Sequence, residues 1–169
     1  MNTDLALLVL RVAVGVVIMG HGLLKIGWVG KGGTLTGTAG WFGSIGLKPG
    51  MFWASIAVLA EAGGGFLTIL GLGGPIGPGI VAADLVVVTL VAHLPKGFWA
   101  HEGGWEFPVP VAAGAFAIAL IGNGRWSLDA LLGLTYSDQL TLAWLAIMAV
   151  GAVLALVARA LFAPKPKAA

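Results

Sequence analysis

The sequence contains no cysteine and few charged residues, and both absences limit what the protein can be. Without thiols, this chain forms no disulfides, thiolate zinc sites or iron–sulfur ligation, so a redox role needs a bound cofactor or a partner. Charged residues make up 9% of the 169 residues and hydrophobic residues 59%, with a mean hydropathy of +1.00. Soluble domains carry roughly a quarter charged residues. The composition therefore indicates a membrane protein.

Other familiar features are also missing. The 9 lysines and arginines stand against 7 acidic residues and form no dense basic tract, which argues against nucleic-acid binding. The sequence has no haem-ligand pair, flavin motif or nucleotide-binding loop. We therefore expect that the chain does not transfer electrons alone.

Five apolar runs account for most of the chain. A spanning helix needs about 20 apolar residues, and the runs occupy residues 5–24, 51–72, 75–94, 107–122 and 140–162. The fourth run is short and begins with Pro108 and Pro110, which cost little in a first helical turn because that N–H lacks a helical partner. We predict an all-α, polytopic transmembrane helical bundle.

The connecting segments leave two questions open. The Gly-rich segment 25–50 contains Trp41 and Phe42 and is either an interfacial element or a disordered loop. The 28 glycines allow helices to approach closely, either within one bundle or between copies of the chain. The basic tail 164–169 is predicted to be disordered.

The basic residues fall unevenly on the two sides of a five-span arrangement. One side carries only Arg125, and Arg11 if its side chain reaches the interface; the other carries Lys25, Lys31, Lys48, Lys96, Arg159, Lys165 and Lys167. Because cytoplasmic loops are enriched in lysine and arginine, we predict a multi-pass protein of the cell membrane with its amino terminus outside and its carboxyl terminus in the cytoplasm.

Several ionisable residues lie where a bilayer disfavours them, at a cost of a few kcal/mol each if unpaired. They are Arg11, His21 and Lys25 in the first run, Glu61 in the second, and Asp84 and His93 in the third. Glu61 and Asp84 lie about ten residues into their runs, near mid-membrane. Arg11 and Lys25 share a helical stripe, with His21 one turn from Lys25. We expect the whole set to face the bundle interior.

Three interpretations of this set remain open. In the first, Arg11 pairs with Glu61, with or without Asp84, only to neutralise buried charge. Alternatively, His21 and the carboxylates handle protons at a quinone-type site, since both groups can titrate near neutrality. A metal site of His21, His93, Glu61 and Asp84 is the third, although Asp84 and His93, nine residues apart, lie on opposite helix faces. His101 lies in a loop and is expected to be solvated.

A series of motifs extends over about residues 5–132: Arg11, Gly15, Gly20-His21-Gly22, Lys25, Trp41-Phe42, Gly46-Leu47, Glu61, Gly64, Gly97-Phe98-Trp99, Glu106 and Trp126-Ser127-Leu128-Asp129. In their order and spacing, these motifs resemble the DoxX family of small membrane proteins. The resemblance implies a four-helix membrane bundle, and the family takes its name from a small subunit of an archaeal thiosulfate:quinone oxidoreductase. We therefore expect a DoxX-like bundle over residues 1–135 and an additional transmembrane helix within 136–163.

These observations give one functional hypothesis and two alternatives. The resemblance implies a redox-associated subunit that supports quinone-linked electron transfer with a protein partner or as a homo-oligomer. In it, Glu61 and His21 handle protons, Arg11 holds the charge of Glu61, and Arg11, Lys25 and Asp84 help to bind the quinone; no metal is assigned. The alternatives are a non-catalytic anchor or assembly subunit, and a small proton-coupled transporter.

Overall fold

A computed structural model describes residues 2–31 and 33–163, and within those ranges the chain forms helices and turns without strands. The predicted disordered tail, 164–169, lies outside them. We number the helices α1 (Asn2–Lys25), α2 (Leu35–Ser44), α3 (Gly50–Leu70), α4 (Ile76–Lys96), α5 (Pro108–Ile121), α6 (Leu128–Leu131) and α7 (Asp138–Phe162).

The fold class is confirmed, and each apolar run forms a helix close to its predicted bounds. Four helices, α1, α3, α4 and α7, are long and apolar enough to cross a membrane. The weakest run forms α5, which has 14 residues and is therefore only about 21 Å long at 1.5 Å per residue. It begins at Pro108, as the tolerance for proline in a first turn predicts.

Four helices, α1, α3, α4 and α5, enclose the main core. The fully buried side chains of Ile18 in α1, Val81 in α4 and Ile118 in α5 meet there. Around this core α1 packs on α3, α3 on α4, α4 on α5 and α5 on α1, while α7 packs on the outside of α4. The arrangement is a four-helix bundle with one added helix.

Small residues set the distance between α1 and α3. A Cβ atom added to Gly15 would lie 2.7 Å from the carbonyl oxygen of Gly65, and one added to Gly22 would lie 2.5 Å from the amide nitrogen of Ala62. Such distances leave no room for a side chain, so the two backbones are in contact. Gly15, Gly22 and Gly65 therefore serve contacts within one bundle.

Both α3 and α4 are interrupted by one π-helical turn. These turns comprise Leu59–Gly63 in α3 and Thr89–His93 in α4. A π turn inserts one extra residue into a helix and is frequent at functional sites. The first of them carries Glu61.

The Gly-rich connection contains helix α2, so the disordered-loop alternative is wrong. Thr34 caps this helix, accepting a hydrogen bond at Oγ1 from the Gly37 amide at 3.0 Å. Phe42 is buried against Ala54 and Ala57 of α3, whereas Trp41 is half exposed. An exposed tryptophan beside a buried phenylalanine suits a helix lying at the membrane surface.

The first and last described residues, Asn2 and Ala163, lie at opposite ends of the bundle. At one end, the carboxylate of Asp4 accepts a hydrogen bond of 3.0 Å from the Arg125 amide, just after α5. At the other end, Ala163 lies against Gly46 in the connection between α2 and α3. We call these the Asp4 end and the Lys25 end, after the α1 residue at each. The chain runs five times along the bundle axis, in α1, α3, α4, α5 and α7, and this odd number accounts for the separation.

The close approach of α1 and α3 gives the first testable prediction. Gly15→Ala should destabilise the protein by roughly 1–3 kcal/mol, because the added methyl group has no space. Thermal unfolding in detergent would measure the loss. Gly20→Ala in the same helix is the matched control and should be tolerated, because nothing lies within 4 Å of its added Cβ. Equal losses in both variants would contradict the close-packing account.

Candidate functional site

Arg11 does not pair with Glu61, so that prediction is wrong. Its guanidinium is fully buried at the Asp4 end and donates a hydrogen bond to the carbonyl oxygen of Trp126. The helix register explains the error: Lys25, the residue that meets Glu61, is fourteen residues beyond Arg11, about 21 Å along α1. Arg11 instead fills the space beside Gly71, where an added Cβ would collide with the guanidinium.

Asp129 organises the polar cluster around Arg11. Its two carboxylate oxygens accept hydrogen bonds from the amides of Gly73 and Gly74, at 2.9 and 2.8 Å, and from the side chain of Asn123 at 2.7 Å. Tyr136 donates to the same carboxylate at 3.2 Å. Burial and the neighbouring Asp129 charge raise the pKa of the Tyr136 hydroxyl, which therefore remains a donor. The segment after α5 is thus fastened to the turn between α3 and α4.

Sequence reasoning did not assign Asp129 or Asn123 to any site. Asp129 appeared only within the Trp126-Ser127-Leu128-Asp129 run, which supplied no indication of its partners. Those partners, Gly73 and Gly74, precede it by more than fifty residues. The cluster has a structural character, because most of its hydrogen bonds join side chains to the backbone of turns.

Glu61 forms an ion pair with Lys25, near the Lys25 end. The Glu61 side chain is 4% exposed and that of Lys25 is 21% exposed. The lysine therefore reaches from a buried carboxylate towards the end of the bundle. Both residues were predicted to lie inward, and the structure brings these two together.

The histidines do not join this group. His21 is exposed beside the ring of Phe107, with centroids 5.8 Å apart, so the prediction that it faces the bundle interior is wrong. The helix geometry of α1 explains the exposure of His21. The next residue, Gly22, contacts α3, and because successive residues point about 100° apart, His21 is turned away from α3. The Nδ1 atom of His93 lies 2.7 Å from the carbonyl oxygen of Gly103. Among residues 2–31 and 33–163, no cluster of three metal-ligating side chains occurs.

A cavity of about 380 Å³ lies between α2, α3, α4 and α7. Its walls are aromatic or aliphatic, with Trp41 and Phe42 at the Lys25 end and small residues such as Ala57 deeper inside. The volume falls within the roughly 300–1,000 Å³ typical of small-molecule sites. The sequence did not reveal this cavity, because its walls come from four separate helices.

Asp84 is the one ionisable residue among the described residues that line this cavity. Its Oδ2 atom is buried, and no described residue hydrogen-bonds to it. The π turn that carries Glu61 packs on α4, the helix of Asp84. A buried carboxyl oxygen without a partner is costly. Its position suits a ligand that supplies the missing hydrogen bond.

The structure thus separates the five residues predicted to form one site. Asp84 lines the cavity and the Lys25–Glu61 pair lies behind it, whereas Arg11 belongs to the Asp129 cluster and His21 lies on the outer surface.

Comparison with known proteins adds the family. The family model DoxX matches residues 6–94, more than half of the chain. The chain belongs to the DoxX family. No curated protein and no solved structure matches it. The chain is accordingly a multi-pass membrane protein of that family.

The DoxX match covers α1, α2, α3 and most of α4. It includes the Lys25–Glu61 pair and Asp84. It ends before α5, the Asp129 cluster and α7. The cavity of this DoxX protein is therefore built from matched helices on three sides and closed by a helix beyond the match.

The ion pair gives the second prediction, a double-mutant cycle. Glu61→Gln should lower thermal stability in detergent because it leaves the Lys25 charge without its partner, and adding Lys25→Met should recover part of the loss. The coupling energy should be about 0.5–3 kcal/mol. The parallel cycle with Arg11→Met should show additive losses, because Arg11 is remote from Glu61. Additivity in the Lys25 cycle would refute the ion pair.

Proposed function

We propose that this DoxX-family protein is a membrane subunit that supports quinone-linked electron transfer with a partner, and that a quinone binds in the cavity beside Asp84. The observation that carries the proposal is an apolar cavity with one buried, unpartnered carboxyl oxygen among its described lining residues. Membership of the DoxX family supports a redox role because the family takes its name from a small subunit of a thiosulfate:quinone oxidoreductase.

The cavity suits a quinone on physical grounds. A quinone combines a flat apolar ring and an apolar tail with two carbonyl oxygens, and it takes up two electrons and two protons to become the quinol. Aromatic residues such as Trp41 and Trp53 offer faces against which a ring can pack. Protonated Asp84 donates a hydrogen bond to a carbonyl oxygen, and ionised Asp84 accepts one from a quinol hydroxyl. One residue thus serves both redox states.

The Lys25–Glu61 pair supplies a route for protons between Asp84 and the Lys25 end. Glu61 is buried on the π turn that packs on α4, and the Lys25 side chain that pairs with it is partly exposed at the end of α1. A proton lost or gained by Asp84 is balanced by these neighbouring charges. In this proposal Asp84 and Glu61 handle protons, and neither Arg11 nor His21 takes part.

Electrons must come from a partner, because this sequence lacks cysteine and recognisable haem, flavin or nucleotide motifs. The partner would carry its own redox group. One observation also favours a simpler anchor role: the outer face of α7 is apolar and exposed, with only Ala155 buried. An anchor requires that face but has no use for a carboxyl group in a cavity.

The third prediction distinguishes these two functions. Asp84→Leu should reduce the quinone retained per purified chain by roughly tenfold, the equivalent of losing one hydrogen bond of about 1.4 kcal/mol. Quinone extracted from the purified protein would be quantified by chromatography. Thr89→Val is the matched control, since Thr89 lies on the same helix with a buried hydroxyl but outside the cavity lining. An unchanged quinone content in Asp84→Leu, or none in the native protein, would favour the anchor.

We further propose that the Lys25 end faces the cytoplasm. Lys25, Lys48, Lys96 and Arg159 lie in or next to this end of the bundle, whereas Arg125 lies at the Asp4 end. The positive-inside tendency favours this orientation.

The orientation is the fourth prediction. A reporter that works only in the cytoplasm should be active when it is fused after the last residue. A reporter that works only outside the cytoplasm should be active when it is fused at the amino terminus. The basic loops determine the outcome, so adding three lysines after Arg125 should weaken the preference. The opposite pattern would reverse the proposed orientation, and two reporters on the same side would contradict the five crossings.

A further inference from the structure

We infer that the cavity opens sideways to the bilayer through a gap between α3 and α7, so that its ligand enters from the lipid phase. We call this gap the lateral portal and define it by Phe52 and Ile56 of α3 and by Gly151 and Leu154 of α7. The identity of the ligand rests on the proposed function, whereas the portal itself rests on the geometry below.

The exposure of the lining residues locates the opening. Most of the cavity wall is formed by buried or half-buried side chains. Trp41 of α2 is 46% exposed at the Lys25 end of the cavity, and Phe52, Ile56 and Leu154 line the cavity and are also 55%, 41% and 60% exposed. A side chain with one part on a cavity and another on the outer surface lies at the rim of an opening. The last three lie on the two helices that flank the gap.

The position of α7 explains why the gap exists. This helix packs mainly on α4 and has few contacts with the other described helices. Near the Asp4 end, Trp144 of α7 packs against Gly79 of α4, and its indole N–H donates a hydrogen bond of 3.3 Å to the carbonyl oxygen of Ile76. At the Lys25 end, Ala163, the residue that follows α7, packs against Gly46. Between these two points α7 stands away from α3.

Small residues of α7 leave the space open from within. Gly151 and Ala152 face the cavity, and Ala155 faces it about one turn later. Larger residues there would reach towards α3 and fill the cavity. The helix outside the DoxX match therefore forms both a wall of the site and one side of its entrance.

The surroundings of the portal determine what can pass through it. Its four defining residues are apolar, and they lie within two helices that are long and apolar enough to cross a membrane. The gap consequently faces hydrocarbon rather than water. A ligand that dissolves in the bilayer, such as a quinone with an isoprenoid tail, can reach Asp84 by this route without leaving the membrane.

The chain's lack of cysteine allows a direct test that needs no quinone. Ala83 lines the cavity beside Asp84, so Ala83→Cys introduces a single reporter thiol. In liposomes, an alkyl maleimide that partitions into lipid should label this thiol, and a sulfonated maleimide confined to water should not. Adding Ile56→Trp and Leu154→Trp should narrow the portal and slow alkyl labelling roughly tenfold.

The matched control places the same bulk elsewhere on α7. Val150→Trp adds a tryptophan to an exposed position of that helix outside the cavity lining, and labelling should be unaffected. If the double variant does not give a monodisperse protein, Leu154→Trp alone is compared with Val150→Trp. Labelling that is insensitive to the rim substitutions, labelling by the sulfonated reagent at a similar rate, or no labelling by either reagent would overturn the portal.

A second measurement separates the portal from the proposed function. Release of bound decylubiquinone into excess empty liposomes should slow roughly tenfold in the rim variant, in parallel with thiol labelling. If the native protein binds no decylubiquinone while the labelling pattern holds, the quinone proposal fails and the portal stands. If quinone binds but the rim substitutions change neither its release rate nor the labelling rate, the portal proposal is wrong and the quinone site stands.

Discussion

The backbone contact between α1 and α3 fixes which partners the charged groups of α1 can reach. Gly15 against Gly65 and Gly22 against Ala62 set one antiparallel register. That register brings Lys25 to Glu61 and carries Arg11 about 21 Å away from them, towards Trp126. A side chain at either glycine would push the two helices apart, and Lys25 would then no longer reach Glu61.

The resulting charges form two groups with different characters. At the Asp4 end, Arg11 and Asp129 bond mainly to backbone groups and hold the turn between α3 and α4 against the segment after α5. Near the Lys25 end, Glu61 and Asp84 lie on helices that each contain a π turn, and one oxygen of Asp84 has no partner among the described residues. The first group holds backbone segments together, whereas the unpartnered oxygen of Asp84 lies in an apolar cavity, which suits ligand binding.

The added helix gives the DoxX core a feature that the core alone would lack. The face of α4 that α7 covers includes Asp84, and without α7 that carboxyl group would meet the bilayer directly, at a cost of several kcal/mol. With α7 in place, Asp84 lies in an enclosed but accessible cavity. The packing of Trp144 on Gly79 and of Ala163 on Gly46 holds the helix at its two ends, and its small residues leave the space between.

The sequence alone determined the helices and their membrane character, because hydropathy and proline placement are local properties that each segment carries by itself. It also predicted that Arg11, Lys25, Glu61 and Asp84 avoid lipid, since an unpaired charge there is costly wherever the helices lie. Their partners depended on the register between helices and on the rotation of each helix, which hydropathy does not specify. Only the tertiary structure could therefore place Arg11 beside Trp126, turn His21 outward, and form a cavity from four helices that are distant in sequence.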